Sequence, residues 1–310
     1  DAIDASVCYP DPQCEELKAA IAEKENVPAE WIFCGNGAAD VIFSLVLALK
    51  PQKALLPIPS FYEYRQALES VGCQISEILL KEDEAFCLQK RFVNEIPMDT
   101  DMVCLCNPNN PTGQLIDREV LEQVADYCQK TDTCLLLDEC FHDFLEEGSV
   151  HTLLPRVKEN PKLFVLRAFT KMYGIPGLRL GYAMTSDAKL RESMQQIRQP
   201  WSVSVPAQAA GIEALTEREE QRVQKIRNKI VEEKMRMEKK MREFEIRFIP
   251  TKANLYSESA LFERLLEQGI LIRNCENYRG LKKGWYRIAV RTKEENDVLL
   301  RAFETILSKQ

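Results

Sequence analysis

The sequence predicts an α/β fold: a large domain with a mainly parallel sheet between helices, plus a small α+β C-terminal domain. Two observations carry this. Short apolar runs of strand length alternate with amphipathic helical segments through the first two thirds of the chain. After about residue 214 that alternation gives way to one long charged helix and a set of shorter mixed elements. The expected division is therefore 1–214 and 215–310. A length of 310 residues exceeds one typical domain and fits one large core with a smaller companion.

The elements follow in order. Residues 13–24 read as an amphipathic helix. "WIFC" is a short strand that runs into "CGNGAAD" (34–40), where Gly35 and Gly37 permit a tight turn before a helix over 38–49. "KALLPIP" (53–59) and "CQISEILL" (73–80) read as strands on either side of a helix over 61–71. "DMVCLC" (101–106) and "TCLLLD" (133–138) bracket a helix over 117–130, and "KLFVLRAF" (162–169) and "LGYAMT" (180–185) complete the set. Strands with little polar content suit a parallel sheet covered on both faces. In "LTEREEQRVQKIRNKIVEEKMRMEKKMREF", Val223, Ile226, Ile230, Met237, Met241 and Phe244 share one face by helical steps. Calmodulin or membrane binding is the alternative for such a helix, but its balanced charge favours a solvated helix with one packed stripe. Beyond it we expect a strand over 246–249, a helix over 260–267, strands at "ILIRN" and "WYRIAV", and a helix over 293–307.

Composition excludes several classes. A net charge of −7 and a pI near 5.3 argue against a nucleic-acid binder. No apolar run approaches the roughly 20 residues a membrane span needs. The opening "DAIDASVCYP" has no initiator Met and no signal-peptide pattern, so the chain is expected to begin inside its gene product. Eleven cysteines is an odd number, and most lie in apolar runs, which reads as buried reduced thiols in a cytoplasmic protein. Cys104 and Cys106 share a strand face, but no second ligand pair follows at zinc spacing, and His142 and His151 are the only histidines. No metal is expected.

The unusual residues fall beyond the strand ends, where ligands gather in such sheets. The Gly35–Gly37 turn ends at a helix N-terminus, whose amides attract phosphate. "CNPNNPTG" (106–113) is a proline- and asparagine-rich loop. Asp138 ends an apolar strand, where a carboxylate is costly without a cation or donor; a helix cap is the plainer reading. In "RAFTKMYGIPGLRLGY" (167–182) Lys171 leaves an apolar run and Arg179 follows eight residues later. This reads either as a surface turn with two solvated cations or as a buried amine and an arginine aimed at one phosphorylated ligand.

Taken in order, "NNPTG", "LLLDE", "TK" and "GLRLGY" make the chain similar to fold-type-I pyridoxal phosphate (PLP) enzymes of the aminotransferase class I/II family, from "CYPDPQCEEL" to "YRIAVRT". The resemblance implies the fold-type-I PLP-dependent transferase fold, with pyridoxal 5'-phosphate as cofactor. It implies Lys171 as the lysine that holds the cofactor covalently and Arg179 as the arginine on its phosphate. Backbone amides of Gly37, Ala38 and Ala39 and the hydroxyl of Thr170 would join Arg179 there. Phe61 would stack on the pyridine ring, Asn110 would bond its 3-oxygen, and Asp138 would keep its nitrogen protonated. Tyr9 would reach the phosphate of a neighbouring subunit, which implies a homodimer with shared active sites. Many relatives place a tyrosine three residues after the aspartate. This chain has Phe141, which cannot donate to the 3-oxygen.

Two branches of the family come nearest: decarboxylases of L-threonine O-3-phosphate, which serve cobalamin biosynthesis, and histidinol-phosphate aminotransferases. Phe141, "KMYGIPGLRLGY", "RQPWSVS", "ILIRNCENYRGL" and "WYRIAVRT" favour the first. The expected product is (R)-1-aminopropan-2-yl phosphate. By the same resemblance Arg273 and Arg291, with Asn110, would grip a small phosphorylated amino acid. Arginines within apolar strands fit bidentate anion binding, with a structural salt bridge as the alternative. Family members also carry an upstream segment that contributes to the substrate pocket, and it is expected to be missing here. A non-enzymatic ligand sensor of this fold would carry a DNA-binding domain and a basic patch, and the chain shows neither.

Overall fold

The computed structural model describes residues 4–146, 148–251, 255–258 and 262–308. Its first sheet has seven strands: β1 (Ile32–Gly35), β2 (Lys53–Ile58), β3 (Gln74–Leu79), β4 (Met102–Cys106), β5 (Cys134–Asp138), β6 (Leu163–Ala168) and β7 (Gly181–Met184), in the order β1-β7-β6-β5-β4-β2-β3. β2 through β6 pair in parallel, while β7 lies antiparallel between β6 and β1. β1 therefore points the same way as the parallel strands, and its carboxyl end opens on the same edge as theirs.

The central strands look uniformly apolar in sequence, yet their period of two sorts them cleanly. Leu135 and Leu137 of β5 and Val103 and Leu105 of β4 face one core, with α1 (Glu15–Glu25), α4 (Arg118–Lys130) and α7 (Val205–Ala214). Leu136, Cys104 and Cys106 face the other, with α2 (Ala38–Leu49), α3 (Tyr62–Ser70) and α6 (Ala188–Ile197). Side-chain caps start several helices: Asp117 accepts from the Glu119 amide at α4, and Ser204 from the Ala207 amide at α7. A single-turn helix, α5 (Gly148–His151), follows the loop after β5.

The expected boundary after residue 214 falls in the turn between α7 and α8 (Glu217–Glu243). Along the α8 stripe Val223, Met237 and Met241 are buried, whereas Ile226 and Ile230 are only half-buried and Phe244 caps the helix. Met237 and Met241 join a third core with α9 (Phe262–Glu267) and α10 (Lys293–Leu307). A small sheet completes this region, in the order β10 (Arg273–Asn274), β11 (Trp285–Ile288), β9 (Leu255–Glu258), β8 (Phe248–Ile249). β9 was not anticipated from sequence, and the expected first residues of the 260–267 helix lie outside the described residues. Ile249, Cys275 and Trp285 pack into the first core of the large sheet, and the Trp285 ring meets Phe86 edge-on in the segment after β3.

Candidate functional site

Five connections converge at the carboxyl edge of the large sheet. After β1, Gly37 takes a φ of 87°, and a Cβ there would stand 2.5 Å from Nη2 of Arg179. Only glycine lets the guanidinium sit against the backbone that opens α2. Gly181 is tight in the same way, since a Cβ there would meet the Ala38 amide nitrogen at 2.5 Å. The amides of Ala38 and Ala39 begin the helix, so α2's positive end and the Arg179 cation face the same small volume.

After β2, Phe61 is the N-cap residue of α3, and Tyr64 follows one helical turn later. Their rings meet edge-on at 5.5 Å. The Tyr64 hydroxyl donates to Oδ2 of Asp138 at 2.5 Å, and the Cys140 amide donates to Oδ1 at 2.9 Å. Asp138 is 3% exposed at the last position of β5. Burial pushes its pKa above the usual carboxylate range, opposed by the Cys140 thiol first and then by those two donors. Burial likewise raises the Tyr64 hydroxyl, with the Asp138 charge adding to it, so Tyr64 stays a donor. Among the described residues no cation pairs with Asp138.

Lys171 lies three residues past the end of β6. It is exposed rather than buried, because the chain has already left the sheet, and its Nζ lies 5.5 Å from the Phe141 ring centroid. Thr170 beside it is half-buried. After β4, Asn109 donates to the Pro59 carbonyl at 3.0 Å, tying the "NNPTG" loop to the β2 turn. Gly113 of that loop has a φ of 66° and no room for a Cβ, which would meet Thr251 at 2.6 Å.

Asn110 shows what the sequence reading missed. Its Oδ1 accepts from Nη1 of Arg287 at 2.5 Å and from the Tyr278 hydroxyl at 3.3 Å. With two donors on the oxygen, the amide N–H groups point elsewhere. Arg287 pairs directly with Arg273 across β10 and β11. Like charges placed opposite one another on a sheet repel. Neither arginine meets a carboxylate among the described residues; Arg273 donates only to Oδ1 of Asn277. Arg291 makes its contacts elsewhere. β11 ends at Ile288, so Arg291 is not in a strand; it is 65% exposed and pairs with Glu295 at 2.8 Å. "WYRIAVR" offered two arginines four residues apart, and only the cross-strand register, which sequence does not display, selects the first. Tyr64 was hidden for another reason: a tyrosine on a helix face reads as core.

Tyr9 is 83% exposed, with its ring 5.2 Å from that of Trp201.

These residues fit a phosphorylated pyridine aldehyde. The glycine-bounded cradle at Gly37 and Gly181 with Arg179 suits its phosphate, Asp138 has a lone pair but no cation for its ring nitrogen, and Lys171 carries a free amine. A family model described as aminotransferase class I and II matches residues 5–303. The threonine-phosphate decarboxylase of Salmonella typhimurium is 38% identical over 315 residues, covering 99% of this chain and 85% of that protein. A histidinol-phosphate aminotransferase of Caldanaerobacter subterraneus is 32% identical, covering 97% of this chain and 84% of that protein. The crystal structure of the histidinol-phosphate aminotransferase from Clostridium acetobutylicum superposes with a TM-score of 0.92 at 26% identity, over 100% of this chain and 93% of that one.

Proposed function

The chain belongs to the aminotransferase class I and II family of PLP-dependent enzymes, and from that premise we propose that it decarboxylates L-threonine O-3-phosphate to (R)-1-aminopropan-2-yl phosphate, a reaction of cobalamin biosynthesis. The observation that carries the substrate reading is the Arg273–Arg287 pair beside Asn110. Two facing cations without a carboxylate call for an anion, and a phosphate dianion satisfies both through charge-assisted bonds of about 1.5–3 kcal/mol each. The relative at 38% identity bears the matching name.

Lys171, Asp138, Arg179, Thr170, Phe61, Asn110 and the amides of Gly37, Ala38 and Ala39 hold the cofactor in this reading. PLP, when bound, supplies an electron sink for the pair released at the substrate's Cα. The protein's task is to choose which bond at Cα breaks. Arg273 and Arg287 would hold the phosphate at one end of the substrate, which leaves its carboxylate ungripped. The bond from Cα to the carboxylate breaks, CO2 leaves, and Lys171 Nζ returns a proton to Cα. Phe141 removes a hydroxyl from the neighbourhood of Lys171, and its ring covers that side of the amine instead.

The exposed Tyr9 supports a homodimer in which it reaches the partner's site. The eleven free thiols support a cytoplasmic setting, and no helix among the described residues is long and apolar enough to cross a membrane. A second reading, transamination of histidinol phosphate, is favoured by the 32% relative and by the 0.92 superposition. Incubation with O-phospho-L-threonine without any keto acid decides between them. Release of CO2 is expected. Glutamate from histidinol phosphate and 2-oxoglutarate, with no CO2 from phosphothreonine, would hand the function to the aminotransferase.

A further inference from the structure

We propose that Tyr64 is a positioning residue of the cofactor site: its hydroxyl fixes the Asp138 carboxylate so that one oxygen lone pair stays aimed at the cofactor's ring nitrogen. The inference rests on the PLP reading and adds a residue to it. Tyr64 is fully buried, and its hydroxyl donates to Asp138 at 2.5 Å, with the Cys106 thiol as a second neighbour. It stands one turn along α3 from Phe61, so one helix face presents both the aromatic ring expected under the cofactor and the donor behind it.

The bonding around Asp138 leaves little freedom. The Cys140 amide takes a lone pair on Oδ1 and the Tyr64 hydroxyl one on Oδ2. A carboxylate offers about four such positions. Bonds to both oxygens prevent rotation about the Cβ–Cγ bond, and both stabilise the charged form that a protonated ring nitrogen needs. Without Tyr64, Oδ2 would lose its hydroxyl donor at a position only 3% exposed to water. The carboxylate would then rotate or take up a proton, and either change weakens its bond to the ring.

The test is cofactor affinity of the apoprotein, read by tryptophan fluorescence. Tyr64→Phe keeps the ring and its packing. It is expected to weaken PLP binding about tenfold, or about 1.4 kcal/mol. A deaza analogue of PLP, with carbon in place of the ring nitrogen, should bind Tyr64→Phe and wild type within twofold of each other. In an Asp138→Asn background, Tyr64→Phe should have no further effect on PLP affinity. Equal weakening for both cofactors would make Tyr64 a general packing residue and overturn the proposal, as would no weakening for either. A wild-type apoprotein that bound neither cofactor would instead overturn the PLP reading itself.

Discussion

At the end of strand β5 two carboxylates are neighbours in sequence and opposites in environment. Asp138 turns to one face of the sheet, where it meets a hydroxyl and an amide but no cation. Glu139 turns to the other, where Oε2 accepts from Arg167 at 2.8 Å and from Thr152 at 2.8 Å. Arg167 goes on to Glu25 at 2.7 Å, and Glu25 accepts from the Tyr182 hydroxyl at 2.6 Å. Both carboxylates are buried; only one is neutralised from within the protein. The same contrast recurs in the small sheet, where Arg273 and Arg287 face each other without a carboxylate among the described residues while Arg291 has Glu295. In the function proposed above, the unmatched charges are the ones a ligand would satisfy, since otherwise they carry a standing desolvation or repulsion penalty. Matched charges belong to the fold. Substitutions on the two sides should therefore separate activity from stability.

The largest effect is expected on the unmatched side. Asp138→Asn removes the charge that would hold the ring nitrogen protonated, and turnover should fall by roughly a thousandfold, about 4 kcal/mol. The apoprotein should lose no stability. Burial raises the Asp138 pKa above its unfolded value, so its ionised form already opposes folding once pH exceeds the unfolded pKa. Steady-state kinetics and a thermal melt of the same preparation check both halves. A variant that kept activity, or unfolded, would break the contrast.

Glu139→Gln should do the reverse. It leaves Arg167 with Glu25 alone in a buried setting, and breaking a buried pair costs about 3 kcal/mol. Urea unfolding should show that loss, while kcat/KM of the surviving folded enzyme changes little. His142 sharpens the same side. Its Nδ1 is buried without a hydrogen bond, 3.9 Å from Glu139 Oε2, with Arg167 and Arg227 among the nearby charges and Glu25 opposing them. Burial, aided by Arg167, lowers its pKa from 6.5 to about 3. Between those values the unfolded chain takes a proton that the native protein refuses, so stability falls with pH by about 1.4 kcal/mol per unit. It is complete above about 6.5 and lost toward about 3. His142→Gln should remove most of that acid slope between pH 6.5 and 5, and an unchanged slope would place the buried charge elsewhere.

Sequence showed the frame better than the final contacts. The alternation of apolar runs and helical segments gave the strands of the large sheet, because all but the edge strand β3 are largely buried and bounded by turn residues. The loops at 34–40, 106–113 and 167–182 were visible because glycine, proline and a stranded lysine are conspicuous among apolar residues. β9 was not legible, and β10 shrank to two residues, because short edge elements carry too little pattern. Tyr64 and Arg287 were missed on different grounds. Burial of Tyr64 conceals its hydroxyl in an ordinary apolar stripe. Arg287 and Arg291 differ only in where β11 stops and in what lies across from it. Pairing register is a property of two distant segments, and neither segment contains it alone.

Arg287 and Arg291 supply the next comparison. Arg287→Ala should raise KM for phosphothreonine roughly tenfold or more, since it removes one charge-assisted bond and also frees Asn110. Arg287→Lys should recover only part, because an ammonium cannot reproduce the planar fork. Equal KM values for both variants and wild type would mean that the facing arginines do not hold the phosphate.

The smallest effect is expected from Arg291→Ala. Its guanidinium lies four residues before Glu295, and Glu295 is also the residue that closes the capping box of α10. Oε1 receives Arg291, while Oε2 accepts from the Thr292 amide and hydroxyl. The Arg291 backbone is anchored separately, its amide donating to Oδ1 of Asn296. Losing the side chain therefore leaves both the cap and the backbone bond in place. An exposed i,i+4 pair at a helix start is screened by solvent and contributes little. Arg291→Ala should keep KM within twofold of wild type and shift the thermal midpoint less than any variant above. A KM rise as large as that of Arg287→Ala would return Arg291 to the substrate site and show that the Glu295 pair gives way when the anion arrives.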